Sequence, residues 1–369
     1  MVFARISCIA LGFLLSQKVA QAQADHFRRE IQKIITFDAE IDFIRTPGLI
    51  VGLVLEDTTH FFSFGVASRE DSASMDKNSI FEIGELTQVF TAAAVVELSR
   101  QGHFDLDSSL TGFLGLEVRD PGVRKISIRQ CLNHTSGLPR YPPFFGEQEF
   151  STEAPYATYS KEDLLTFLME CTLDQPPPLP YGFSNMNYAC LELVVEKACA
   201  LPFEEIMEKV LFHPFGMDQT RFTIPEKDSA RIVQGYNQAS KPVSMWNLRS
   251  HNGAFGLKST PEDLTRFMEI FLSPEPGWAP VFSELYRNPV PTGIRKNTLM
   301  GLGWHLVYPK KHTRVLVHTG STAGYMAYMA MAPDTKTGVL VLANSPYGSG
   351  GLGLLVLRMI NRNWKLKGL

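Results

Sequence analysis

The stretch Phe81-Glu82-Ile83-Gly84-Glu85-Leu86-Thr87-Gln88-Val89-Phe90-Thr91-Ala92 decides how this chain folds. A short aromatic and β-branched run meets a glycine, and an apolar segment follows to about Leu98. The glycine predicts a turn, and Val89, Phe90, Ala93, Ala94, Val96 and Leu98 predict a buried helix. The first turn of such a helix is where a chain can place a reactive group in the helix dipole field. Here an acid, Glu85, stands in that turn, and a neutral amide, Gln88, follows one turn later.

Outward from that stretch, the composition is that of a globular protein. Over 369 residues, 44% are hydrophobic and 20% charged, enough for one large domain or two intimate ones. A formal net charge of −3 carries no basic footprint, which argues against a nucleic-acid partner. The first 24 residues have the pattern of an export signal. Arg5 precedes an apolar run from Ile6 to Leu15 that is too short to span a bilayer, and Ala20-Gln21-Ala22 and Ala22-Gln23-Ala24 both suit cleavage. The expected mature chain, 25–369, is then secreted or periplasmic, with no transmembrane span left. Export would leave Cys131, Cys171, Cys190 and Cys199, an even number that permits disulfides. Cys190 and Cys199 fall on one predicted helix, about 13 Å apart, so they cannot bridge and free thiols are the favoured state. No Cys or His spacing suggests a metal site, and no cofactor is expected.

In chain order, residues 25–45 predict an amphipathic helix ended by Pro47-Gly48. Leu49 to Leu55 and Thr59 to Val66 predict an antiparallel hairpin. Residues 85–289 are mainly helical in pattern, with short helices at 126–132, 161–171, 189–200 and 203–211. Another begins at Thr260-Pro261-Glu262-Asp263, with Thr260 as N-cap. From about 290 the pattern returns to strands, at 302–307, 315–318, 325–331 and 338–343, before an apolar helix from Gly351 to Trp364. Strands at both ends and helices between predict an α/β (α+β) fold. One antiparallel sheet, from about 25–84 and 290–369, is flanked by helices, and a helical region is inserted into it.

Six local patterns run in one order. Phe81-Glu82-Ile83-Gly84 opens the helix, and His134-Thr135-Ser136-Gly137-Leu138-Pro139 follows. Next come Phe183-Ser184-Asn185-x-x-Tyr188, then Leu211-Phe212-His213-Pro214-Phe215-Gly216-Met217. Gly301-Leu302-Gly303-Trp304 and His318-Thr319-Gly320-Ser321-Thr322-x-Gly324-Tyr325 complete the series. Together they resemble the β-lactamase-related serine hydrolases, the group of class C β-lactamases, DD-peptidases and esterase relatives, across residues 26–365. The resemblance implies a β-lactamase/transpeptidase-like fold with its active site in the cleft between sheet and helical region. It also implies chemistry by a serine and a lysine one helical turn apart, S-x-x-K. A Y-x-N segment supplies a tyrosine, and a K-T-G or H-x-G strand forms the opposite wall.

On that pattern the serine position holds Glu85, the lysine position Gln88 and the tyrosine position Phe183, while Asn185 and His318-x-Gly320 are kept. With all three reactive groups replaced, the expectation is a pseudoenzyme whose cleft, lined by Glu85, Gln88, Asn185, His318, Thr319 and Gly320, binds a ligand. That ligand is expected to be peptide-like or cell-wall-derived, with a protein partner as the other possibility. Glu85 at a helix start is expected to have a lowered pKa and to cap the helix, bonding Gln88 or Asn185. The rival expectation is a hydrolase or acyl-transfer enzyme that uses Glu85 or His318 with water on an ester, lactone or amide.

No other residue clearly replaces the serine. Thr87 points away around the helix, and Ser136 sits in a turn. Ser184 faces away from Phe183 and Asn185 in an extended segment, and Ser321 follows His318 on the cleft strand. Tyr181 precedes Phe183 by two residues, offset by about 7 Å in an extended chain. His134 is assigned no chemistry. Gly348-Ser349-Gly350-Gly351-Leu352-Gly353 has dinucleotide-fingerprint spacing, but the chain ends before the further strand that fingerprint requires, so it is expected to be a turn into the last helix.

Overall fold

A computed structural model describes residues 21–56, 58–142, 154–310, 313–347 and 349–361. Most of the expected export signal and the far end of the last helix lie outside these residues. Among the described residues, no helix is long and apolar enough to cross a membrane.

The expected hairpin forms from β1 (Gly48–Val54) and β2 (Thr59–Gly65). After it come β3 (Phe81–Glu82), β4 (Gly235–Tyr236), β5 (Pro242–Val243) and β6 (Lys258–Ser259), all too short to show as periodicity. The C-terminal part supplies β7 (Val290–Pro291), β8 (Thr298–Met300), β9 (His305–Lys310), β10 (Thr313–Ser321), β11 (Met326–Ala332) and β12 (Thr337–Ala343). The main sheet runs β2-β1-β12-β11-β10-β9-β8-β7 and is antiparallel throughout. The pairing of β1 with β12, Leu49 opposite Ala343, closes one sheet from both ends of the chain.

β1 and β12 are buried on both faces because helices cover both sides of the sheet. Leu49, Val51 and Leu53 pack with Ile31, Ile35, Leu352 and Val356 from the first and last helices. Ile50, Val54, Leu340 and Leu342 face the larger core on the other side, with Val89, Phe90, Leu264 and Phe267. Period-2 alternation is therefore hidden in the central strands and visible in β2, which lies at the edge.

The quoted stretch folds as expected, with local refinements. β3 leads into a 3-10 turn, Gly84–Leu86, and the helix Thr87–Arg100, buried from Thr87 through Leu98. Gly84 has φ +52, the left-handed conformation that glycine tolerates. Opposite it on β10, a Cβ at Gly320 would lie 1.9 Å from the Ile83 carbonyl oxygen and 2.7 Å from the Glu85 nitrogen. Only a residue without a side chain lets the strand press against the turn that carries Glu85.

Four expectations need correction. The helix expected over 25–45 ends at Asp38, where Glu40, at φ +49, turns the chain out of it well before Pro47. The strand expected from Leu302 begins at His305, because Gly303, at φ +79, turns the chain and donates its N–H to the Leu132 carbonyl. The helix expected from Ala189 begins at Asn185: Ser184 is its N-cap, its Oγ accepting the Asn187 N–H at 3.3 Å and donating to the Pro139 carbonyl at 2.7 Å. Asn185 thus stands on a helical turn, not in an extended segment. The glycine-rich run starting at Gly348, itself outside the described residues, is helical from Ser349. A Cβ at Gly353 would meet the Tyr328 ring at 2.2 Å, so this glycine brings the closing helix down onto the sheet. Thr260 is the N-cap foreseen, accepting the Asp263 N–H at 3.2 Å.

Candidate active-site cleft

A cleft of about 520 Å³ opens above the Gly84–Leu86 turn. Its floor is Glu85 with Ser321 and Thr322 at the end of β10. Its walls are Tyr156, Trp246 and Phe255, with Arg140 and Tyr141 at one side. The three wall aromatics touch one another, with ring centroids 5.2 Å apart for Tyr156–Phe255 and 5.5 Å for Trp246–Phe255. Tyr156 also stacks on the buried His251 at 4.4 Å.

Glu85 does not bond Gln88 or Asn185. Its Oε2 accepts the main-chain N–H of Ser321 at 2.7 Å, and its own N–H also donates to the carboxylate. Among the described residues only main-chain N–H groups donate to it. The expectation of a lowered pKa is overturned. Burial pushes the carboxyl above the usual carboxylate range, and the Ser321 N–H, its own N–H and the nearby Arg140 charge pull it back only in part. Dipole arguments assume a solvent-exposed helix end, whereas this one lies against β10 and the aromatic wall.

The other residues expected to line the cleft separate into two layers. Gln88, Asn185, His318 and Gly320 are buried behind the floor and do not reach the cavity; Thr319 is exposed. Gln88 Nε2 donates to Asn185 Oδ1 at 3.1 Å, and Asn185 lies near the Tyr156 phenol. That phenol is held neutral by burial and next by the nearby Glu85 carboxyl, so it is no proton acceptor. His318 packs beside Trp304 and His305, and burial lowers its pKa to about 3. It is therefore a neutral, enclosed imidazole. Phe183 is half-buried between the His134 ring, at 4.6 Å, and the Arg140 guanidinium, 5.3 Å from its ring centre.

None of the serine and threonine hydroxyls weighed from sequence meets a base. Thr87 Oγ1 accepts the Leu257 N–H, and Ser136 Oγ donates to Asn187 Oδ1 at 2.6 Å. Ser321 Oγ lies against the carbonyls of Thr322 and Tyr325 in its own turn. Tyr181 is hydrogen-bonded to His305 Nε2 at 2.9 Å, outside the cleft. Cys131, Cys171, Cys190 and Cys199 are free thiols.

Sequence reasoning missed the wall. Arg140, Tyr156 and Trp246 come from irregular segments without periodicity, and two buried residues of opposite charge support one side of it. Glu82 and Lys258 face each other across β3 and β6. Glu82 accepts the Trp246 N–H and, at 2.7 Å, the Thr322 hydroxyl. Lys258 Nζ donates to the carbonyls of Trp246, Phe222 and Gly256. Two residues from distant parts of the chain, Trp246 and Thr322, are thereby fixed on either side of the cleft.

The raised pKa of Glu85 has a consequence for stability. A carboxyl whose folded pKa lies above its unfolded value gives a contribution present below the unfolded pKa, about 4.3, and lost as pH rises through the folded one. Glu85→Gln removes that dependence. In urea unfolding, Glu85→Gln is expected to gain stability relative to the parent between acid and neutral pH, with a slope difference of at most about 1.4 kcal/mol per pH unit. A parallel pair of pH–stability curves contradicts the expectation.

With this geometry in place, comparison with known proteins is informative. The chain is 26% identical over 372 residues to a β-lactamase of Lysobacter lactamgenus, covering 91% of this chain and 90% of that protein. It is 26% identical over 297 residues to the D-alanyl-D-alanine-carboxypeptidase/endopeptidase AmpH of Escherichia coli (strain K12), covering 76% of this chain and 75% of the relative. Its fold is shared with a β-lactamase/D-alanine carboxypeptidase from Pseudomonas syringae, at TM-score 0.78 and 19% identity over 92% of this chain and 99% of that one. A class C β-lactamase superposes at TM-score 0.78 and 22% identity, covering 94% and 96% of the two chains. The family model described as Beta-lactamase matches residues 36–355, and with the antiparallel sheet, the cleft and the motif series in place, the chain belongs to the β-lactamase family.

Proposed function

We propose that this protein is a binding member of its family that does not form an acyl-enzyme, exported by its N-terminal segment and using the cleft for a peptide-like or cell-wall-derived ligand. One observation carries the reading: the Glu85 carboxylate sits on the N–H groups of Ser321 and of Glu85 itself. Two converging main-chain donors are what stabilise the oxygen of a carbonyl under attack, and an acceptor already seated on them leaves that role filled. The same side chain stands where the resemblance puts the nucleophile. Gln88 and Phe183, at the positions of the lysine and tyrosine, carry no group that takes a proton. The intact protein incubated with a fluorescent penicillin is expected to show no label after denaturation, and a denaturation-resistant adduct overturns the reading.

A second reading has one observation in its favour. A carboxyl raised by burial in an aromatic-walled cleft has the environment of a general acid, so Glu85 with water on an activated ester or lactone is the rival chemistry. His318 has no part in it, because it is enclosed. A screen of chromogenic esters and lactones separates the two: turnover that disappears in Glu85→Gln favours the rival.

A further inference from the structure

The cleft carries a charge pattern that narrows its ligand, an inference that rests on the binding role proposed above. Only main-chain N–H groups meet the Glu85 carboxylate among the described residues, and both act as donors to it, with Oε2 taking the Ser321 N–H. The carboxylate still forms part of the cavity surface, so it offers acceptor capacity to whatever enters. Above it stand the faces and edges of Tyr156, Trp246 and Phe255, a packed aromatic group of the kind that attracts an organic cation. On another side of the same cavity, Arg140 is exposed. Its guanidinium lies over the rings of Tyr141, at 5.2 Å, and Phe183, at 5.3 Å, and it forms no ion pair with a carboxylate among the described residues. It is near enough to Glu85 to act on its charge without contacting it.

A carboxylate at the floor under aromatic walls and a guanidinium at the side define a site of two opposite charges. From this juxtaposition we propose that the cleft binds a zwitterionic amino acid or short peptide. Its free ammonium meets Glu85 beneath the Tyr156–Trp246–Phe255 group, and its free carboxylate meets Arg140. A cavity of about 520 Å³ has room for such a molecule with a small side chain. An ammonium brought beside this partly buried carboxyl stabilises its ionised form, so Glu85 becomes a recognition element when the ligand is present. Arg140 presents two parallel donors to a carboxylate, which sets the ligand's direction in the cleft.

Isothermal titration calorimetry on the full chain tests this with free dialanine, in both L and D forms, its N-acetyl derivative and its C-terminal amide. At least one free dialanine is expected to bind, N-acetylation to weaken binding roughly tenfold or more, and amidation roughly fivefold. Glu85→Gln is expected to lose the discrimination against the N-acetyl form while keeping that against the amide, and Arg140→Ala the reverse. Thermal melts of each variant confirm that it is folded. Absence of heat for both free dialanines at about 10 mM, equal affinity of the parent for free and N-acetylated forms, or discrimination against the N-acetyl form that survives in Glu85→Gln overturns the inference. Covalent capture of penicillin bears on the absence of acyl-enzyme chemistry instead, so the two proposals fail by different readouts.

Discussion

Substituting Glu85→Ser, Gln88→Lys and Phe183→Tyr together is expected to make the chain one that penicillin acylates. The expectation rests on what each change does to the observed geometry. Removing the carboxylate frees the Ser321 N–H and the N–H of residue 85, the two donors that now hold it. A serine at 85 places a hydroxyl at the start of the same buried helix. A lysine at 88 replaces an amide whose Nε2 donates to Asn185 Oδ1 at 3.1 Å, and that oxygen can accept from an ammonium equally well. Gln88 is fully buried, so desolvation lowers the pKa of a lysine there and favours the neutral amine that a serine nucleophile requires. A tyrosine at 183 adds a phenol where a ring is already packed against His134. Against the Glu85→Ser single variant, the triple variant is expected to label at least about 10²-fold faster, the scale of one positioned proton-transfer group. A folded triple variant that takes up no label shows that the cleft differs from an acylating one in more than three side chains.

Lys258→Met is expected to be the most damaging single change, lowering stability by about 3–5 kcal/mol in urea unfolding. The substitution keeps the length of the side chain but removes the positive charge that acts on Glu82, a carboxylate 3% exposed. Burial raises the pKa of Glu82 and lowers that of Lys258, and the attraction of each for the other partly reverses both shifts. The carbonyls of Trp246, Phe222 and Gly256 lose their donor at the same time. Adding Glu82→Gln to Lys258→Met removes the buried charge while keeping an acceptor for the Trp246 N–H, with the Thr322 hydroxyl turned to accept from the amide. The double variant is therefore expected to recover about 1–2 kcal/mol of the loss. A single variant that loses less than about 1 kcal/mol shows that the pair does not support the fold. Because the pair holds Trp246 and Thr322, the folded fraction of the single variant should also bind cleft ligands more weakly.

Much of the architecture is legible in the residues because local pattern and global fold agree. The Leu49–Leu55 and Thr59–Val66 runs pair as β1 and β2, and the apolar residues after Gly84 form the buried helix foreseen for them. Thr260 and Pro261 start a helix because the threonine hydroxyl accepts the Asp263 N–H and a proline needs no N–H partner at the first position, which is local chemistry. The short strands β4 to β8 leave no signal in the sequence, because two or three residues carry no period. The sequence predicts Asn185 in an extended segment, whereas the N-cap role of Ser184 is supported by the Pro139 carbonyl, brought close by the fold. Among the site residues, sequence singles out Glu85, Gln88, Phe183, Asn185 and His318. It does not say that Glu85 meets the cavity while Gln88, Asn185 and His318 lie behind it.

By itself the sequence determined the family, the sheet built from both chain ends and the helical insertion. It also determined the chemical identity of residues 85, 88 and 183, since each is fixed by local pattern or by the covalent chain. Only the tertiary structure decided what Glu85 does. The helix start alone predicts an acid favoured as an anion in its dipole. Once Gly320 lets β10 press against the turn, the carboxylate loses water and takes the Ser321 N–H. Tyr156, Trp246 and Phe255 enclose it, and desolvation outweighs the dipole and reverses the direction of its pKa shift. That reversal depends on which distant segments meet around the residue, and the linear order of the chain does not record it.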